Sequence, residues 1–218
     1  MNYNEEMKKI IKTFDNKKTI LLHSWCGPCS SSAIERLKSY FDITVLYYNP
    51  NIEPKEEYEK RKSEQIRLLK ELNIKYMDCD YDNDIYHEKI KGTEEEKEGG
   101  ARCTLCFMLR LSKTAKLAKE NNFDYFGTTL TVSPHKNSEL INKIGFKEAE
   151  KEATSIALSA DDNKPTSKKK RVIIGGLAVL VVAIFGAGYV LHYTKDSTTT
   201  VASSSTSSSQ KKTTSSSS

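Results

Sequence analysis

The chain has 218 residues and five cysteines. That is room for one α/β domain and a tail, with too few thiols for a disulfide-stapled secreted fold of this size. The net charge of +5 is unevenly spread: residues 1–160 hold 26 Lys+Arg against 26 Asp+Glu, and the excess lies from Lys164 onward. This excludes a globally basic nucleic-acid-binding body, so any such contact must come from a local patch.

In chain order, residues 1–10 read as a polar helix with no secretory leader pattern, which places the main domain in a reducing cytosol. Residues 19–23, Thr-Ile-Leu-Leu-His, suit a buried strand. After Pro28, the spacing of Ala33, Ile34, Leu37 and Phe41 predicts a helix. Residues 43–48 are β-branched and aromatic and predict a second strand. A charged helix over 54–72, a strand over 74–77 and a helix over 83–91 follow. Residues 92–101, rich in Gly and Glu, read as a mobile loop. A long helix over 103–121, a strand over 124–132 and a helix from Ser133-Pro134 to Ile144 complete the series. This alternation predicts a Rossmann-like parallel sheet flanked by helices. Such sheets carry their sites at the carboxyl ends of the strands. There the sequence places His23 to Cys29, Asn49, Asp78 to Asp82 and Thr131 to Lys136.

Two Cys-x-x-Cys pairs dominate: Cys26-Gly27-Pro28-Cys29 and Cys103-Thr104-Leu105-Cys106. Trp25-Cys26-Gly27-Pro28-Cys29 closely resembles the thioredoxin active site, where a helix N-terminus activates the thiolate. That chemistry gives the second pair no task. Four thiolates gathered round iron use all four, as an iron–sulfur cluster requires. Four-thiolate zinc is the other metal reading, but 73 residues separate Cys29 from Cys103, against about 15–20 between zinc-ribbon knuckles. Asp80 or His23 is the candidate for proton handling, although His23 could equally be a core histidine and Asp82 reads as a turn residue. Cys79 reads as a small buried residue. Arg102 and Lys136 are candidate phosphate contacts, Lys136 by its place near a helix start. Arg110 could also hold phosphate, although an arginine in mid-helix is more often a surface residue.

Four segments together carry a family likeness: Leu22 to Cys29, Tyr48-Asn49-Pro50-Asn51-Ile52, Glu98 to Phe107, and Thr128 to Asn137. Over residues 18–145 the chain resembles the cobalamin-independent epoxyqueuosine reductases. The resemblance implies an iron–sulfur oxidoreductase of queuosine biosynthesis. Its substrate would be tRNA carrying epoxyqueuosine at the wobble position, and it would draw on an unidentified electron donor. It also implies a 4Fe–4S cluster on Cys26, Cys103 and Cys106, with Cys29 near an additional iron ion. The family pattern has two adjacent cysteines where this chain has Trp25-Cys26, so one expected ligand is replaced: either Cys29 serves as the fourth ligand, or three thiolates leave one iron open. It also continues to a C-terminal Cys-Gly-Cys, whereas no cysteine follows Cys106 here. The alternatives are a membrane-anchored thioredoxin-like oxidoreductase using Cys26 and Cys29, and an inactive family member.

The expected organisation is an α/β iron–sulfur reductase domain over 1–150, a polar and basic linker over 151–171, a transmembrane helix over 172–193 and a disordered Ser/Thr tail over 194–218. The apolar run is long enough for a bilayer. Lys168 to Arg171 before it predict a cytoplasmic catalytic domain and an external C-terminus.

Overall fold

The computed structural model describes residues 2–161 and 178–179. Its centre is a parallel sheet in the order β3-β2-β1-β4-β5. The strands are β1 (Lys18–His23), β2 (Phe41–Leu46), β3 (Lys75–Met77), β4 (Tyr125–Thr128) and the two-residue β5 (Ala178–Val179). This is the doubly wound order, in which the chain reverses direction across the sheet between β1 and β4.

The helices are α1 (Tyr3–Ile11), α2 (Gly27–Leu37), α3 (Lys55–Glu71), α4 (Asn83–Ile90), α5 (Ala101–Glu120) and α6 (Ser138–Asp161). Strand β1 shows why helices cover both faces. Its side chains alternate, so Ile20 and Leu22 join Met7, Ala33, Ile34, Leu37 and Leu69 in one core, from α1, α2 and α3. Leu21 turns the other way, toward Phe107, Leu111, Ala115, Ala118 and Ile141 of α5 and α6. A strand apolar on both sides is what a fully covered parallel sheet demands. Helix α5 buries a stripe at three- and four-residue spacing: Cys106, Phe107, Arg110, Leu111, Thr114, Ala115 and Ala118.

The expected α/β sheet is present, with three differences in its elements. The last of the four expected strands stops at Thr128 instead of running to Val132. Thr129 donates its N–H to the His23 carbonyl at 2.9 Å, and the Leu130 N–H turns back onto Thr128 Oγ1 at 3.2 Å. The chain therefore leaves the ladder and makes a single 3₁₀ turn, Leu130–Val132. Helix α6 does not end at Ile144: Ile141, Ile144 and Ala149 are all buried, and the apolar face carries on through Gly145. Of the expected membrane segment 172–193, only Ala178 and Val179 are described, and they form a strand parallel to β4 instead of part of a helix. No helix among the described residues is long and apolar enough to cross a membrane. Residues 151–161 of the expected linker belong to α6, while 162–171, the remainder of 172–193 and the tail 194–218 lie outside the described residues.

Candidate active site

The crevice lies where β1 and β4 end side by side. Trp25, two residues beyond β1, donates its backbone N–H to Thr129 Oγ1 at 2.9 Å. Asn49, after β2, donates to the Ser24 carbonyl at 2.9 Å and accepts from the Arg110 guanidinium at 3.2 Å. Three strand ends and α5 are thus tied together by buried polar groups, which fixes the crevice floor.

Helix α5 brings the second cysteine pair to this floor. Gly99 has φ +87°, a conformation only glycine adopts without strain, and from there its N–H reaches Cys103 Sγ at 3.3 Å. Arg110, one helical turn past Cys106, donates to Cys106 Sγ at 3.1 Å and lies 4.9 Å from the Trp25 ring. Lys136 approaches the same indole at 5.3 Å. Around these groups is a cavity of about 410 Å³ that also includes Tyr86, Arg102, Phe107 and His135. Burial raises the Tyr86 phenol above its usual range, and it lies in the field of Cys106, Arg102 and Arg110. It remains an O–H donor at neutral pH. Asn51 also lines the cavity, with its buried amide oxygen unpartnered.

The first pair sits apart. Cys26 caps α2 in extended conformation and Pro28 falls in the first turn. Cys26 Sγ and Cys29 Sγ stand 3.0 Å from each other. Cys26 opens on a separate groove of about 640 Å³ between α2 and α3, with Pro28, Glu57, Lys60, Arg61 and Leu68. Burial, and then the contact with Cys26, push the Cys29 thiol upward. Lys136 is the link between the two regions, since its charge reaches both Cys29 and the Trp25 ring.

The structure therefore gathers Cys103, Cys106, Arg102 and Lys136 around one cavity and leaves other candidates outside it. Among the described residues, no group of three or more His, Cys, Asp or Glu could hold a metal ion. As arranged, Cys26, Cys29, Cys103 and Cys106 do not fit a four-thiolate cluster. Trp25 stands where the family pattern has a cysteine, and it lines the cavity. His23 is wholly buried. Its Nε2 bonds the Tyr48 carbonyl at 3.0 Å, which can only accept, so Nδ1 accepts from the Thr128 hydroxyl at 2.9 Å. Burial first, then the Arg110 charge, lower its pKa to about 3. It holds the sheet together as a neutral ring whose single N–H proton is committed to the Tyr48 carbonyl. Asp80 is exposed and does not line the cavity, because β3 is an edge strand two places from the switch point. Cys79 is partly buried against the α5 core, as a small packing residue.

One residue differs from its expected exposure and one gave no sequence signal. Arg110 is buried, not on the surface; its place four residues after Cys106 puts it on the cysteine face, a signal the sequence did carry. Tyr86 gave no signal, since only the packing of α4 against α5 brings it in. Asp82, read as a turn residue, instead bonds both the Tyr48 hydroxyl and Lys113 at 3.0 Å.

Fold and crevice define a doubly wound α/β protein with a cysteine-bearing, cationic and aromatic pocket at its switch point. A family model described as "Epoxyqueuosine reductase QueH" matches residues 20–174, and the chain belongs to that family. The match runs past residues 18–145, over which the motifs carry the likeness. Similar proteins, each described as epoxyqueuosine reductase QueH, come from Streptococcus pyogenes serotype M1, Staphylococcus epidermidis and Acinetobacter baylyi. The first is 40% identical over 75% of this chain and 68% of its own length. The second is 42% identical over 67% and 66%, and the third 46% over 64% and 64%. The chain thus spans about two thirds of the length of these curated relatives. A U34-tRNA thiolase from Methanococcus maripaludis with its [4Fe-4S] cluster is a distant structural likeness. Its TM-score is 0.43 at 13% identity, covering 73% of this chain and 51% of that one, too remote to bear on the site.

Proposed function

We propose that this chain is an oxidoreductase that reduces epoxyqueuosine in tRNA to queuosine. The family match over residues 20–174 carries this reading, and the pocket supports it. In the reaction two electrons and two protons enter, both epoxide C–O bonds break, a carbon–carbon double bond forms, and the oxygen leaves as water. Tyr86, protonated within the cavity, is the group placed to donate toward the departing oxygen. Arg102 and Lys136 supply cations for the flanking phosphates. Arg110 holds Cys106 and the Trp25 ring in place. The electrons come from a donor of unknown identity.

The test is the full chain, purified without oxygen and mixed with tRNA bearing epoxyqueuosine and a low-potential chemical reductant. Queuosine is then measured among the digested nucleosides. Its appearance at substoichiometric protein is expected, and none under any reducing condition would overturn the reading. The same preparation tests the metal centre that the family likeness implies, a 4Fe–4S cluster on Cys26, Cys103 and Cys106 with an additional iron near Cys29. About four irons with matching sulfide per chain would mean that the thiols regroup on loading. An iron-free protein would match the separation of the two pairs. We also propose that the catalytic domain is cytoplasmic. Its five free cysteines support this, and recovery of the protein outside the cytoplasm on cell fractionation would refute it.

A further inference from the structure

We propose that Trp25 is the stacking platform for the wobble base of the RNA. This deepens the reductase reading above and rests on it for the identity of the RNA. Three observations lead there. First, Trp25 sits at the switch point with its backbone pinned to Thr129, so the ring has a fixed origin. Second, its two cationic neighbours differ. Arg110 is buried and bonded to Asn49 and Cys106, so it cannot leave. The Lys136 ammonium has no hydrogen bond or ion pair among the described residues and can swing away toward a phosphate. Third, Tyr86 and Phe107 line the same cavity, whose volume of about 410 Å³ falls within the range of small-ligand pockets, roughly 300–1,000 Å³. An aromatic face, a second aromatic and mobile cations are the elements with which proteins hold unpaired bases.

The competing account is that Trp25 merely fills space, since it packs against two apolar clusters. A filler and a platform differ in what they feel when RNA binds. Trp25 is the single tryptophan of the chain, so intrinsic fluorescence reports on this ring alone. The titrants are an anticodon stem–loop RNA with guanosine at the wobble position and the same RNA made abasic there. Binding is followed in parallel by the anisotropy of end-labelled RNA. Saturable quenching by the first RNA is expected, with the abasic RNA bound about 5- to 150-fold more weakly. Trp25→Ala should lose a similar factor for the guanosine loop only, and Trp25→Tyr should recover part of it. Thermal melts of both variants identify a misfolded sample, in which case the Tyr variant carries the comparison. Equal quenching by the two RNAs, or wild-type binding by a folded Trp25→Ala, overturns the proposal. The reductase reading fails separately. Base-dependent quenching without queuosine formation removes the reaction and leaves the platform. Turnover without base-dependent quenching removes the platform alone.

Discussion

The two cysteine pairs share a spacing and a position, each opening a helix, yet their surroundings have little in common. Cys26 and Cys29 face each other at 3.0 Å beside a groove of charged α3 side chains. Cys103 and Cys106 each accept a donor from another residue, Gly99 and Arg110, and look into an aromatic, cationic cavity. The spacing says only that two sulfurs lie on one side of a helix start; what each sulfur can do is set by the groups that reach it.

Substitutions that touch one region and spare the other test this contrast. The largest expected effect is on turnover. Tyr86→Phe removes the donor O–H from the α5 cavity and should cut the rate about 100-fold or more, while Lys60→Ala in the other groove should leave it within twofold. A large loss from Lys60→Ala in steady-state assays would mean that the α2–α3 groove takes part in the reaction.

Next comes Arg110→Ala. It strips a buried guanidinium from Asn49 and Cys106 and leaves a void beside Trp25, which should cost about 3 kcal/mol in urea unfolding. A change under 0.5 kcal/mol would mean that the polar chain across the crevice floor holds nothing together.

His23 sharpens the comparison through pH. Its folded pKa is depressed to about 3, against the ordinary 6.5, so the unfolded chain binds the proton more readily. The buried neutral ring therefore adds stability that is fully present above about pH 6.5 and drains away as pH falls toward 3. The slope is at most about 1.4 kcal/mol per pH unit. Stability curves of the wild type and His23→Gln should converge as the pH drops through that window, and parallel curves would refute the neutral assignment.

The smallest effect is kinetic. Burial and the Cys26 contact hold the Cys29 thiol protonated, so iodoacetamide at pH 8 should modify Cys29 several-fold more slowly than in the denatured chain. Peptide mass spectrometry over a time course reads this directly, and equal rates would show that the first pair is not shielded.

Most of the fold was legible because the strands announce themselves: runs such as Thr19 to His23 are apolar on both faces, and such strands end at the site. The convergence of Trp25, Asn49 and Lys136 follows from that rule alone. Asp80 was misplaced because the rule treats all strand ends as equal. Strand order decides which ends meet, and the edge position of β3 was not written in its residues. His23 failed as a proton donor for a related reason: its neighbours Tyr48, just past β2, and Thr128, at the end of β4, come from elsewhere in the chain. Arg110 shows the opposite error. Its helical position was readable, but an expectation of surface arginine overrode it.

The seam between β1 and β4 also carries a consequence for how the molecule is made. Thr129 bonds to His23 and Trp25 across more than a hundred residues of chain, whereas β2 is only a helix away from β1. Loop closure favours the β1–β2 pair, which can form while the chain is still emerging from the ribosome. The crevice cannot be completed until residue 129 has been synthesised and has folded back. A nascent chain stalled before that point would leave Trp25 without its Thr129 partner, so this protein acquires its pocket late, as one of the last acts of folding.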